Sequence, residues 1–105
     1  MNIAASQLGY AELNEQIRAA GRECVLTGCI GQRFIGAGMR DKQIDIGGTP
    51  GNALGAYLNG ADITVHGNAQ DAVGDTMNAG TIVIHGNIGD AAGYAMRGGE
   101  IYVRD

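Results

Sequence analysis

The chain has no tryptophan, a single phenylalanine, Phe34, a single proline, Pro50, and two cysteines, Cys24 and Cys29. Two cysteines are too few for a disulfide scaffold, and their spacing is not Cys-x-x-Cys, so a redox pair is the weaker reading. Two reduced thiols in a cytoplasmic protein is the plainer one. No apolar run is long enough to cross a bilayer. Met1 to Tyr10 lack the basic start and long apolar stretch of a secretion signal. An excess of positive charge is also missing: the net charge is −4. That balance argues against nucleic acid or an anionic membrane surface as partner.

What the chain has in quantity is glycine, 19 of its 105 residues, together with an ordinary globular share of apolar residues, 45%. Glycine at that level suits a flexible linker unless it recurs in order. Here it recurs. Gly36, Gly55, Gly74 and Gly93 stand 19 residues apart, and other columns keep the same step. Ile63-Thr64-Val65-His66 is followed at that interval by Ile82-Val83-Ile84-His85, then by Ile101-Tyr102-Val103-Arg104, and preceded by Ile44-Asp45-Ile46-Gly47. A fixed period near 20 with several matched columns marks a stacked repeat.

The period has a physical reading. Each unit holds one short strand with apolar residues two apart, and such a strand cannot bury its apolar face alone. Stacking the units in parallel places equivalent residues roughly 4.8 Å above one another. Four columns are apolar: Ile44/Ile63/Ile82/Ile101, Ile46/Val65/Ile84/Val103, Met39/Leu58/Met77/Met96 and Ile35/Leu54/Val73/Ala92. These form the expected core of an all-β solenoid with about 19 residues per coil, too few for a helix-turn-helix repeat. The glycine column marks a corner, where the backbone needs positive φ or a close approach.

The expected organisation is a single β-helix domain, 1–105, with an N-terminal segment 1–22 and coils over 23–105. Residues 1 to 10 are weakly patterned and expected to be loose. Ala11 to Ala20 reads as a short helix with Leu13, Ile17 and Ala20 on one face and Gly21 as its stop, placed to cap the open end of the solenoid. Cys24 to Thr27 reads as a first partial coil, with Val25 and Thr27 one period before Ile44 and Ile46. Gly47 to Gly51 reads as a turn cluster. The sequence ends at Arg104-Asp105 directly after a strand, with no capping helix or polar last coil. An open sheet edge there is expected to be covered by a partner, by a second copy, or by further residues of a longer polypeptide.

Few residues suggest chemistry. His66 and His85 share a column, which makes half of a metal site at most; alternation puts both opposite the core, as a surface ladder. Asp71 and Asp90 form another column above Asn52 and Arg33. Stacked carboxylates suit acid–base work or calcium, but Asp and Asn at such corners commonly bond their own turn backbone, and that is the expectation. Asn68/Asn87 and Asn59/Asn78 read as side-chain amide ladders. Closely spaced glycines such as Gly36-Ala37-Gly38 are not a nucleotide fingerprint, because no helix follows them. No catalytic, cofactor-binding or metal-ligating set is therefore assigned, and the isolated chain is expected not to be an enzyme. A metal- or ligand-binding protein using His66, His85, Asp71 and Asp90 is the alternative, with self-association through uncapped coil ends as another.

Four stretches carry a family resemblance: Gly31 to Gly38, Gly48 to Ala56, Gly67 to Asn78 and His85 to Gly99. Together, over about residues 12 to 105, they resemble the glycine-repeat (GXGXG) domain at the C-terminal end of the large subunit of glutamate synthase. Similar domains occur as separate small subunits in archaeal-type glutamate synthases, in N-methylglutamate synthase and in formylmethanofuran dehydrogenase. The resemblance implies a right-handed parallel β-helix that is not itself catalytic. In that family glutaminase chemistry belongs to an N-terminal amidotransferase domain, and the flavin and iron–sulfur cluster belong to the synthase domain; the quoted motifs match neither. What it implies for this chain is a structural or assembly module that braces or docks glutamate synthase-like catalytic subunits, or associates with itself. Family domains usually run for several more coils than the four read here.

Overall fold

The structure is a computed structural model and describes residues 1–104. Its elements in chain order are β1 (Asn2–Ala4), α1 (Tyr10–Ala19), β2 (Glu23–Ile30), β3 (Gln43–Thr49), β4 (Asn59–His66), β5 (Ala79–Ile84) and β6 (Glu100–Val103). The six strands form one sheet in sequence order, β1-β2-β3-β4-β5-β6, and every pair is parallel. Parallel neighbours in sequence order mean that the chain returns to the same side once per turn. The fold is thus the expected β-solenoid. From β3 to β4 and from β5 to β6 the register advances by the sequence period, with Ile44 beside Ile63 and Ile82 beside Ile101.

The inward side chains are those the period selects. Ile44, Ile46, Ile63, Val65, Ile82 and Ile84 are buried, as are Ile35, Leu54 and Val73 on the opposite wall and Met39, Leu58 and Met77 between them. Stacked branched side chains of one kind bury a continuous apolar column, each layer removing surface worth roughly 25 cal/mol per Å².

Why glycine beats in this fold is visible at the corner. Three alternate residues in every coil have positive φ: Phe34, Gly36 and Gly38, then Ala53, Gly55 and Tyr57, then Ala72, Gly74 and Thr76, then Ala91, Gly93 and Ala95. The outer two positions tolerate alanine, phenylalanine, tyrosine and threonine, so a left-handed backbone does not by itself demand glycine there. The middle position has a second constraint. A Cβ on Gly36 would stand 2.9 Å from Ile63 Cδ1, on Gly55 2.7 Å from Ile82 Cδ1, and on Gly74 2.6 Å from Ile101 Cδ1. Each of these three glycines makes room for the isoleucine of the coil above it. Strain of about 1–2 kcal/mol is borne at the outer sites, whereas strain plus overpacking is not borne at the middle one.

Three expectations need correction. Residues 1 to 10 are not all loose: β1 pairs with β2 through Ile3 and Leu26, and Ile3 and Ala5 are buried. The register of the first coil is one residue off the period, with Cys24 beside Ile44 and Leu26 beside Ile46. Cys24 and Leu26 therefore point into the core, while Val25 is 40% exposed. A one-residue slip turns every side chain of a strand to the other face; here it exchanges a core of Val25 and Thr27 for one of Cys24 and Leu26, which buries more apolar volume and no hydroxyl. The extra residue is absorbed between Leu26 and Cys29, where Gly28 has φ of +70° and the pairing returns to the period at Cys29 and Gly48. Finally, Gly47, Gly48 and Thr49 belong to β3 and are not a turn. Gly48 is required by closeness, since a Cβ there would collide with the Cys29 backbone.

Helix α1 lies where a cap was expected, with Leu13 and Ile17 fully buried against the first coil. Its contribution goes beyond apolar cover. In the stack, Gly55, Gly74 and Gly93 N–H each donate to the coil below, to Ile35, Leu54 and Val73 carbonyls. Gly36 has no such coil beneath it and donates to Asn14 Oδ1 at 2.9 Å, while Asn14 Nδ2 donates to the Phe34 carbonyl at 2.8 Å. Gln32, also buried, accepts from Ile30 N–H and donates to the Ala5 and Leu8 carbonyls. Two buried side-chain amides thus stand in for the peptide groups of a missing coil, which meets the demand that buried backbone groups be paired.

Candidate functional site

The opposite end of the stack is built differently. Ile101 continues the column of Ile44, Ile63 and Ile82 but is only half-buried, and Val103, above Ile84, is 43% exposed. Ile88 and Met96 are also half-buried. Together with Ala92, Gly93 and Tyr102 they surround an open depression of about 590 Å³. The interior that is sealed at α1 is thus open at β6. A concave apolar surface rimmed by polar groups marks a place where other matter docks.

The polar part of this end follows from the ladder beneath it. Asp71 N–H donates to Asn52 Oδ1 at 3.0 Å, Asp90 N–H to Asp71 Oδ1 at 2.8 Å, and Asn87 N–H to Asn68 Oδ1 at 2.8 Å. Asp71 and Asn68 therefore bond the coil above rather than their own turns or each other's amides, and this corrects both the turn reading of the aspartates and the amide-ladder reading of Asn68 and Asn87. Asn87 and Asp90 occupy the same positions in the last described coil, and among the described residues their side chains accept no such bond. The corner backbone behaves alike. Phe34 and Gly38 donate upward to the Asn52 and Ala56 carbonyls, and Ala72 and Thr76 to Asp90 and Tyr94. Among the described residues no acceptor meets Ala91 N–H or Ala95 N–H, their counterparts. The end face carries donors, acceptors and an apolar centre at once.

The remaining candidates do not converge. His66 and His85 form the expected outer ladder, with ring centroids 5.8 Å apart and planes 9° from parallel. A carboxylate from outside the column reaches it: Asp45 Oδ1 lies 3.5 Å from His66 Nε2, diagonally from the strand below. That contact was legible in principle, because Asp45 precedes Gly47, the register partner of His66, by two residues. Both partners of the pair are solvent-exposed, so it contributes little to stability. Asp71 and Asp90 lie on the corner ladder rather than beside the histidines in a shared set. Among the described residues no three His, Cys, Asp or Glu side chains are grouped as metal ligands.

One grouping had no clear mark in the sequence. Arg33 places its guanidinium carbon 4.4 Å from the Tyr10 ring centroid and 5.7 Å from that of Phe34, and the two rings meet edge to face at 5.7 Å. This cluster pins the start of α1 to the first corner. Its weak sequence signal was an aromatic residue immediately before a helix pattern. Two titrating groups are shifted. Burial pushes the Cys29 thiol up to about 11. At the open end, the Glu100 carboxylate raises Tyr102 by hydrogen bonding and by its charge, and Arg104 opposes it.

No helix of the described residues is long and apolar enough to cross a membrane. No curated protein and no solved structure matches the chain. A family model does: that of the GXGXG motif, over residues 4–105. Its span takes in every coil, each with its three left-handed corner residues and a glycine at the middle one, and the chain belongs to the GXGXG motif family.

Proposed function

We propose that this chain is an assembly module without catalytic chemistry of its own, related to the solenoid domain of glutamate synthase and serving to brace or dock catalytic domains. One observation carries the reading: the apolar columns, buried from β3 to β5, emerge at β6 as half-buried Ile101, exposed Val103 and an open depression. The first coil is capped by α1 and two buried amides, and the apolar columns emerge at the β6 end. Docking there would bury Ile88, Met96, Ile101 and Val103 and supply partners for the corner donors at Ala91 and Ala95. The location that suits this role is the cytoplasm, where Cys24 and Cys29 remain the free, buried thiols they are here.

The experiment is complementation in trans. A glutamate synthase large subunit truncated before its own solenoid domain is co-expressed with this chain, and the complex is sought by size exclusion with both components quantified. Stoichiometric co-elution that is lost in Ile101→Lys supports the bracing role. Absence of binding by the wild-type chain removes the relation to glutamate synthase assembly.

A further inference from the structure

We infer that an open basic pocket beside the C-terminal end of α1, lined by Arg18, Arg40 and Lys42, binds the phosphoryl group of inorganic phosphate or of a small soluble phosphate ester. The site lies on the first coil and is independent of the assembly role proposed above.

A net charge of −4 hides an uneven distribution. Arg18, Arg22, Arg33, Arg40 and Lys42 all precede Gln43, whereas from Gln43 to Met96 there is no lysine or arginine and every acid goes unmatched: Asp45, Asp62, Asp71, Asp75 and Asp90. The acidic total therefore says nothing of the first coil, where an anion meets most of the chain's positive charge.

The fold gathers three of these cations at one hollow. Arg18 comes from the last turn of α1, Arg40 and Lys42 come from the segment that leads into β3, and Gly38 and Met39 complete the walls around about 210 Å³. No acidic side chain is among the lining residues. Lys42 Nζ donates to the Arg18, Ala20 and Gly21 carbonyls at 3.3, 2.7 and 3.1 Å. That contact offsets the negative end of the helix dipole, which would otherwise repel an anion here. Arg18 Nη2 reaches the Ala37 carbonyl at 3.4 Å, which holds the guanidinium at the pocket with most of its donors unspent. Arg40 Nε stands 3.7 Å from Asp41 Oδ2, but both side chains are largely exposed, and such a pair is weak and readily exchanged for a better one.

This set of groups suits phosphate. Two guanidinium forks match its oxygens, and an ammonium adds fixed charge behind them. Three cations with no acid in the lining favour a dianion over a single carboxylate. The hollow holds one phosphoryl group rather than the run of phosphates along a nucleic acid.

The test is calorimetric titration of the full chain with inorganic phosphate and with glycerol phosphate, followed also by phosphorus NMR. Saturable binding of one phosphate per chain is expected. Arg18→Gln and Arg40→Gln should each weaken it tenfold or more, and Arg18→Lys should recover only part of the loss, since it restores charge without the fork. Arg33→Gln, outside the pocket, should leave affinity unchanged. Arg18 and Arg40 are exposed, so an unchanged circular dichroism melt separates loss of the site from loss of the fold. Affinity for glycerol phosphate should fall below about pH 6, where a phosphate monoester takes up a proton and arginine does not change. Absence of saturable phosphate binding overturns the site, as does an equal loss in Arg33→Gln, which would assign binding to overall charge. Full affinity in Arg18→Lys overturns recognition by the fork. Co-sedimentation with vesicles containing phosphatidic acid, without binding of free phosphate, overturns the soluble ligand.

Discussion

Asn14 and Gly36 are joined by a hydrogen bond of 2.9 Å from the glycine N–H to the asparagine Oδ1, and that bond replaces a rung of the solenoid with a side chain of the capping helix. The rung's other half is the 2.8 Å bond from Asn14 Nδ2 to the Phe34 carbonyl. Asn14 is buried, so water cannot take over either role. Asn14→Leu, similar in volume, leaves the buried Gly36 N–H unpaired at about 1–3 kcal/mol, while the Phe34 carbonyl keeps its bond from the Ala37 N–H. Urea denaturation should show a loss of about 1–3 kcal/mol, and amide exchange at Gly36 should quicken more than at Gly55. A loss below about 0.5 kcal/mol would mean that the helix caps by apolar contact alone.

Gly55 and Ile82 test the corner interlock. Gly55→Ala adds a Cβ at 2.7 Å from Ile82 Cδ1 on a backbone with φ of +66°. Strain of about 1 kcal/mol and overpacking of about 1–3 kcal/mol are expected. Ile82→Val removes the Cδ1 atom and costs about 0.5–1.5 kcal/mol on its own. In a double-mutant cycle the alanine should be less costly by about 1 kcal/mol or more in the valine background. Strict additivity would assign the glycine to backbone conformation only.

The first coil's register separates two neighbours. Leu26 is fully buried and Val25 is 40% exposed. Leu26→Ala should cost about 2–5 kcal/mol, as should Ile82→Ala in the regular stack. Val25→Ala should cost less than about 1 kcal/mol, as substitutions away from the core do. Reversal of the order of Leu26 and Val25 would restore the unbroken period.

Cys29 carries a pH dependence whose sign follows from its direction of shift. Burial holds the folded thiol near 11 against an ordinary value of 9.0. Below about pH 9 both states keep the proton, and the group has no effect on stability. Between about pH 9 and 11 the unfolded chain loses the proton while the folded chain keeps it, so stability falls as pH rises. Melting temperature should decline over that window in wild type and decline less in Cys29→Ala, compared within each protein. Alkylation of Cys29 by iodoacetamide at about pH 8 should be slow when folded and fast in urea, because the thiolate is the nucleophile.

The period of 19 and the apolar alternation were enough to place four strands, the core columns and the corner glycines, because these depend on residues that repeat within one coil. The pattern Leu13 and Ile17 likewise revealed α1, since a helix face is a local property. Other features depend on which residues lie across a coil boundary, and no local pattern encodes that. The offset of β2 was decided by whether Cys24 and Leu26 or Val25 and Thr27 pack better beneath Ile44 and Ile46. Pairing of β1 and the peptide-like roles of Asn14 and Gln32 arise from buried or half-buried backbone groups that need partners 19 or more residues away, and the upward reach of Asn52, Asn68 and Asp71 meets exposed backbone N–H groups 19 residues on. The glycine beat itself shows the division. Its spacing was written in the sequence, but its necessity came from Ile63, Ile82 and Ile101 of the coils above, which fill the space a Cβ would take. Repetition determined that coils would stack; contact between unlike atoms across the stack decided how each one sits.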